Sequence, residues 1–131
     1  MVYKSFEELP VWKLAFEQFK MVVKAVNQGT FRRDFSLRDQ ILRSSGSVVD
    51  NIAEGFGRGG NKELINFLSI ARGSHDECRA QILRACVLGH VDDEFKEAFL
   101  KHSTETGLQL TSFMQYLSRS TFTGTKYRKS A

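Results

Sequence analysis

Apolar residues recur at steps of three and four through most of the chain, and four stretches carry that period. In the first, Trp12, Ala15, Phe16, Phe19, Val22, Val23 and Val26 fall on one side while Lys13, Glu17, Lys20 and Lys24 fall elsewhere, which predicts an amphipathic helix to about Gln28. Ser5-Phe-Glu-Glu8 has the spacing of a capping box and Pro10 suits a first helical turn, so this helix is expected to begin near them. Gly29-Thr30 ends it.

Phe31 to Phe35 reads as a short connection, and Ser36, with Asp39 three residues on, as the cap of a second helix. At 100° per residue, Leu37, Ile41, Leu42, Ser45, Val48, Val49, Ile52, Ala53 and Phe56 share one broad side. The other side carries Arg43, Gly46, Ser47, Asp50, Asn51 and Glu54, polar but small enough for a second backbone to come close. Gly55, Gly57, Gly59 and Gly60 are expected to break this helix through left-handed conformations.

Asn61 is a reasonable cap for a third helix, with Glu63 placed to favour its dipole. Its apolar stripe runs from Leu64, Phe67, Leu68 and Ala71 through Cys78 and Ile82 to Ala85 and Cys86, ending at Gly89. Asp92, Asp93, Glu94 and Glu97 crowd the start of a fourth helix, whose inner face is Phe95, Phe99, Thr106, Leu110, Phe113 and Leu117. From Ser118 the period dissolves. The pattern predicts an all-α protein, an antiparallel up-down-up-down four-helix bundle over residues 1–118, with a disordered basic tail over 119–131.

The pI near 9.2 suggests nucleic acid until the charges are located. All 15 acidic residues and 15 of the 19 Lys and Arg lie within 1–118, so Arg119, Lys126, Arg128 and Lys129 supply the whole net charge of +4. If all four met phosphates, the log–log salt slope of binding would be roughly −3 to −4. No signal peptide opens the chain and no apolar run approaches the ~20 residues of a membrane span, so a cytoplasmic protein without a membrane partner is expected. Cys78 and Cys86, eight residues apart on one helix, are too far apart to bridge and read as reduced packing residues.

Catalytic and cofactor chemistry finds little support. A di-iron bundle needs Glu-x-x-His motifs, yet Arg72, Val87 and Phe99 stand three before His75, His90 and His102. His75 and His102 fall on apolar stripes, as hydrogen-bonded core histidines or, if they face each other with a third ligand, as a structural metal site. Gly55-x-Gly57-x-x-Gly60 has the letters of a dinucleotide fingerprint, but a helix precedes it where a strand is needed. An anion at the amides opening the third helix, with Arg58 beside them, competes with a plain glycine turn. Ser44, Ser45 and Ser47 have no histidine or lysine at a spacing that would activate them. No metal, cofactor or catalytic residue is assigned, and the chain is expected not to be an enzyme.

Glu54 and Glu77 lie off the apolar stripes, Glu54 beside Asn51 and Glu77 beside Ser74. They fit either a solvated face or a polar subunit interface. Ile65, Ile70, Leu83 and Leu88, which flank the third helix's stripe, favour the interface.

Three blocks then carry a resemblance: Leu9-Pro-Val-Trp12 with Ala15, the run Gln40 to Arg58 containing Asn-Ile-Ala-Glu-Gly, and Phe67 to Glu77 containing Gly-Ser-His-Asp-Glu. Over roughly residues 6–117 the chain resembles the bacterial ribosomal RNA intervening-sequence proteins, and through them the accessory protein of diversity-generating retroelements. The resemblance implies a ring-shaped homo-oligomer, with a pentamer as its expected form, contact with RNA or DNA, and no established catalytic activity. It also implies interhelical or intersubunit bonding by Asn51, Glu54, Ser74 and Glu77. In a ring, Arg32, Arg33, Arg38, Arg43 and Arg58 of several copies, with the tail cations, would form the nucleic-acid surface. The near-neutral body keeps open the alternative of a scaffold for another protein without nucleic-acid binding.

Overall fold

The computed structural model describes residues 3–121. Four helices, α1 (Pro10–Val26), α2 (Phe35–Gly57), α3 (Asn61–Val87) and α4 (Asp93–Thr121), follow one another, with short 3-10 turns at Phe6–Glu8 and Gly29–Arg33. There is no strand among the described residues. α1 packs on α2 and α4, and α3 packs on the same two. Neighbours are antiparallel: Gln40, Ser44 and Ser47 of α2 bond Arg84, Gln81 and Ser74 of α3 in reversed order. Arg72 and Arg79 likewise meet Thr111 and Ser103 of α4. The expected bundle is therefore present.

Two apolar clusters fill it. One joins Leu9, Val11 and Ala15 to Val48, Ile52, Phe56, Leu64, Leu68, Leu110 and Leu117. The other joins Val22 and Val26 to Phe31, Leu37, Ile41, Ile82 and Phe99. Phe31 and Phe99 are wholly buried, each stabilising the fold by about 2–3 kcal/mol through transfer from water.

The helix starts differ from the expected ones. Ser5 makes no side-chain cap; Glu8 Oε1 accepts the Lys4 amide at 2.9 Å, and α1 opens at Pro10 because proline's missing N–H costs nothing in a first turn. α2 is capped by Asp34, whose Oδ1 accepts the Leu37 amide at 3.1 Å, so Ser36 lies inside the first turn. Gly60 caps α3 and Asn61 is its first residue. Of the four glycines expected to break α2, only Gly59 is left-handed, with φ of 87°; Gly55 and Gly57 are helical. α4 opens as its acidic start implied, Asp92 Oδ1 accepting the Phe95 amide at 2.8 Å. It continues past Ser118 to Thr121, which places Arg119 in its last turn. The rest of the expected tail, with Lys126, Arg128 and Lys129, lies outside the described residues.

Candidate functional site

Of the small polar side of α2, Ser47 and Asn51 lie at α3 within the same chain, while Arg43, Asp50 and Glu54 are exposed and Gly46 faces Phe19 of α1. Ser47 Oγ lies 2.8 Å from Ser74 Oγ, and Asn51 Nδ2 donates to the Ser47 carbonyl and hydroxyl at 2.8 and 2.9 Å. One turn away, buried Ser44 donates to Gln81 Oε1 at 2.6 Å, and Gln81 Nε2 reaches Glu77 Oε2 at 3.5 Å. Asn51 and Ser74 thus belong to an interhelical seam built on Ser47. Glu77 touches the seam only at its exposed edge. Glu54 is not part of it: its carboxylate pairs with Arg58 one turn on at 2.8 Å, with both side chains about half exposed. Such an exposed pair contributes at most about 0.5 kcal/mol.

The arginines are spread along the bundle. Arg32 and Arg33 are exposed in the turn before α2, and Arg38 sits half-buried in its first turns. Arg43 is exposed at mid-helix, and Arg58 lies at the far end of α2, roughly 30 Å from Arg38 at 1.5 Å per residue. Arg58 also stacks over the Phe67 ring at 5.1 Å. One chain therefore does not gather these five on one patch.

At the end that carries Arg32 and Arg33, His90 ties the two loops together. Its Nε2 lies 2.9 Å from Asp34 Oδ2 and its Nδ1 2.8 Å from Thr30 Oγ1, while its ring stacks on Phe31 at 5.1 Å. The histidine beside Asp34 and the Leu37 amide hold that carboxyl below its usual range. Around this end the surface is apolar: Phe35 is 70% exposed and Val87 89%, with Leu83 and Leu88 beside it. Of the four flanking residues expected to be free, Ile70, Leu83 and Leu88 are exposed, whereas Ile65 packs against the core.

A cleft of about 330 Å³ opens between α3 and α4, lined by Arg72, Asp76, Arg79, Ser103, Thr104 and Thr111 over a floor of His75 and Gly107. His75 is buried, with Gln18 Nε2 3.3 Å from its Nδ1. Burial lowers its pKa to about 4. His102 does not face His75 across the bundle for a metal; its Nε2 donates to the Leu14 carbonyl at 2.8 Å. Nothing in the spacing of Arg72 and Arg79 alone pointed to the cleft. Read with Ser103, Gly107 and Thr111, small polar residues four apart on α4, it becomes legible.

With that geometry described, the sequence model of the 23S rRNA-intervening sequence protein family matches residues 7–112, spanning α1 to α3 and most of α4. The chain belongs to that family. The intervening-sequence fold is shared with a solved protein of unknown function from the S23 ribosomal protein family of Bacteroides thetaiotaomicron. That protein is 26% identical with a TM-score of 0.71, the alignment covering 79% of this chain and 97% of that one. No curated protein matches.

In this intervening-sequence protein, no group of three His, Cys, Asp or Glu that could hold a metal occurs among the described residues. Cys78 and Cys86 are free thiols; burial pushes Cys78 up to about 12, where it is inert as a nucleophile. No helix of the described residues is long and apolar enough to cross a membrane.

Proposed function

We propose that this intervening-sequence protein is a non-enzymatic, cytoplasmic scaffold that assembles with copies of itself through the outward face of α3 and contacts RNA or DNA beside that face. One observation carries the reading: the last turns of α3 are apolar on their outer side as well as on their inner one. Its inner stripe is in the core, while Val87, Leu83, Leu88 and Ile70 remain exposed along the outside. A helix apolar on both sides is stabilised by burial on both.

Gly73 supports it. It lies mid-helix and exposed, and a Cβ there would meet nothing within 4 Å, so no described residue of the chain calls for glycine. With exposed Ala80 it forms a small-residue line between Ile70 and Val87, suited to close approach of a second helix. The ring form implied by the resemblance to the retroelement accessory protein is the closed assembly such a face would serve. Arg32 and Arg33 stand next to it, where repetition in an assembly would array their charge for phosphates. The family's name associates it with 23S rRNA genes and favours RNA.

Light scattering on the full chain is expected to give a multiple of the 14.9 kDa protomer, and Val87→Glu to reduce it to one protomer with helicity kept. A wild-type monomer would remove the assembly. Anisotropy with a labelled RNA at low salt is expected to show binding weakened by Arg32→Ala/Arg33→Ala. Assembly without RNA or DNA binding would leave the protein-scaffold reading.

A further inference from the structure

We propose that the cleft between α3 and α4 binds a phosphate-type oxyanion, held by Arg72 and Arg79 with the hydroxyl of Thr111. The cleft lies within one chain, so the inference stands apart from the assembly reading.

Arg79 carries the argument. Its guanidinium is half-buried, and its Nη1 donates only to neutral acceptors: the Ser103 hydroxyl, the Leu100 carbonyl at 3.5 Å and Thr104 Oγ1 at 3.4 Å. Among the described residues no carboxylate comes within ion-pairing distance of it. A guanidinium drawn partly out of water without a counter-ion is a fixed positive charge that an anion would complement. Arg72 sits two turns away on the same face, roughly 10 Å along the axis. Its Nη1 donates to the Gly107 carbonyl at 3.3 Å and to Thr111 Oγ1, and its Nε lies 3.6 Å from Asp76 Oδ1. That single carboxylate is exposed at the cleft mouth and is the one negative group lining it among the described residues.

The bonds on α4 leave donors for a ligand. Each guanidinium is anchored through Nη1, and Nη2 of neither bonds a described residue. Ser103 and Thr104 spend their protons on the Leu100 carbonyl at 3.2 and 2.9 Å, whereas Thr111 accepts from Arg72 and keeps its own O–H to donate. The floor adds no negative charge: His75 is neutral, and Gly107 has no side chain, a Cβ there coming within 3.2 Å of His75 Nε2. Two planar cations and a hydroxyl about a hollow that Leu108 also lines match the several acceptor oxygens of a phosphate group. Such a group could come as a free phosphate ester or as the backbone of a nucleic acid.

The test is an amide NMR titration of the full chain with inorganic phosphate against chloride at constant ionic strength. Saturable shifts are expected at Thr104, Gly107 and Thr111. Arg79→Gln is expected to weaken them roughly tenfold. Asp76→Asn, at an exposed position that leaves folding intact, is expected to tighten them, which keeps the test decisive if Arg79→Gln fails to fold. Shifts that are linear, scattered over the surface, or identical in wild type and Asp76→Asn would overturn the site. A labelled RNA oligomer displaced by phosphate and lost in Arg79→Gln would identify the ligand as nucleic-acid backbone. RNA binding untouched by Arg79→Gln, with saturable phosphate shifts, would identify a free phosphate ester.

Discussion

Gly55→Ala is expected to destabilise the fold by about 2 kcal/mol, although alanine is the better helix former. A Cβ at Gly55 would lie 2.6 Å from Phe67 Cβ and 3.0 Å from Leu64 Cδ1. Phe67 Cβ is fixed to the α3 backbone, so the clash cannot be relieved by turning a side chain; the two helices must separate. That separation would lengthen the short bonds of the seam, with Ser47–Ser74 at 2.8 Å nearest to it. Overpacking costs about 3 kcal/mol here, offset by about 1 kcal/mol of helix propensity. Thermal melts are expected to show Tm lower by roughly 6–10 °C. Gly73→Ala is the counterpart. In a Val87→Glu background, expected to isolate the single chain, it is expected to stabilise by about 0.5–1 kcal/mol, since its Cβ enters open space. If both substitutions shifted Tm equally, the close approach at Gly55 would be wrong.

These glycines show what could be read from the chain and what could not. The period of three and four located every helix, because burial of one face decides where a helix can lie and leaves a regular trace. Gly55 sits inside α2 yet resembled a stop, since local sequence cannot separate glycine placed for conformation from glycine placed for proximity. The latter depends on Phe67, twelve residues away across a turn. The cap of α2 was displaced for a similar reason. Ser36 and Asp34 are both competent caps, and Asp34 also meets His90 of the α3–α4 loop, which is distant in sequence.

Of the site residues, Asn51 and Ser74 were recognisable because small polar side chains opposite a core stripe must bond something. Their direct partner Ser47 lay on the same side of α2. Glu54 fitted both a solvated face and an interface because a carboxylate one turn before a basic residue is indistinguishable in sequence from one meeting another subunit. In this chain it meets Arg58. The exposure of Val87 was missed because the chain alone does not mark where the inner stripe of α3 ends.

Stability is expected to fall by about 2 kcal/mol between pH 7.5 and pH 5, with His75 as the cause. Burial lowers this imidazole's pKa from 6.5 to about 4, so in that interval the unfolded chain takes up a proton that the folded one refuses. Stability therefore rises with pH from about 4 to 6.5 and is fully present above it; the contribution is lost as pH falls through the window. The geometry agrees. Nδ1 faces the Gln18 amide nitrogen at 3.3 Å, so a proton there would oppose the Gln18 N–H. Arg79 and Arg72 repel the cation, and the Asp76 carboxylate and a backbone hydrogen bond at Ser103 favour it without matching the effect of burial. Asp34, held below the ordinary carboxylate range, withdraws its own contribution at lower pH and leaves this interval to His75. Urea midpoints at the two pH values, for wild type and His75→Leu, check the assignment. The variant is expected to be less stable at pH 7.5, because Gln18 loses its partner, but flatter across the interval. An equal fall in both proteins would move the effect away from His75, and with it the account of a neutral imidazole flooring the α3–α4 cleft.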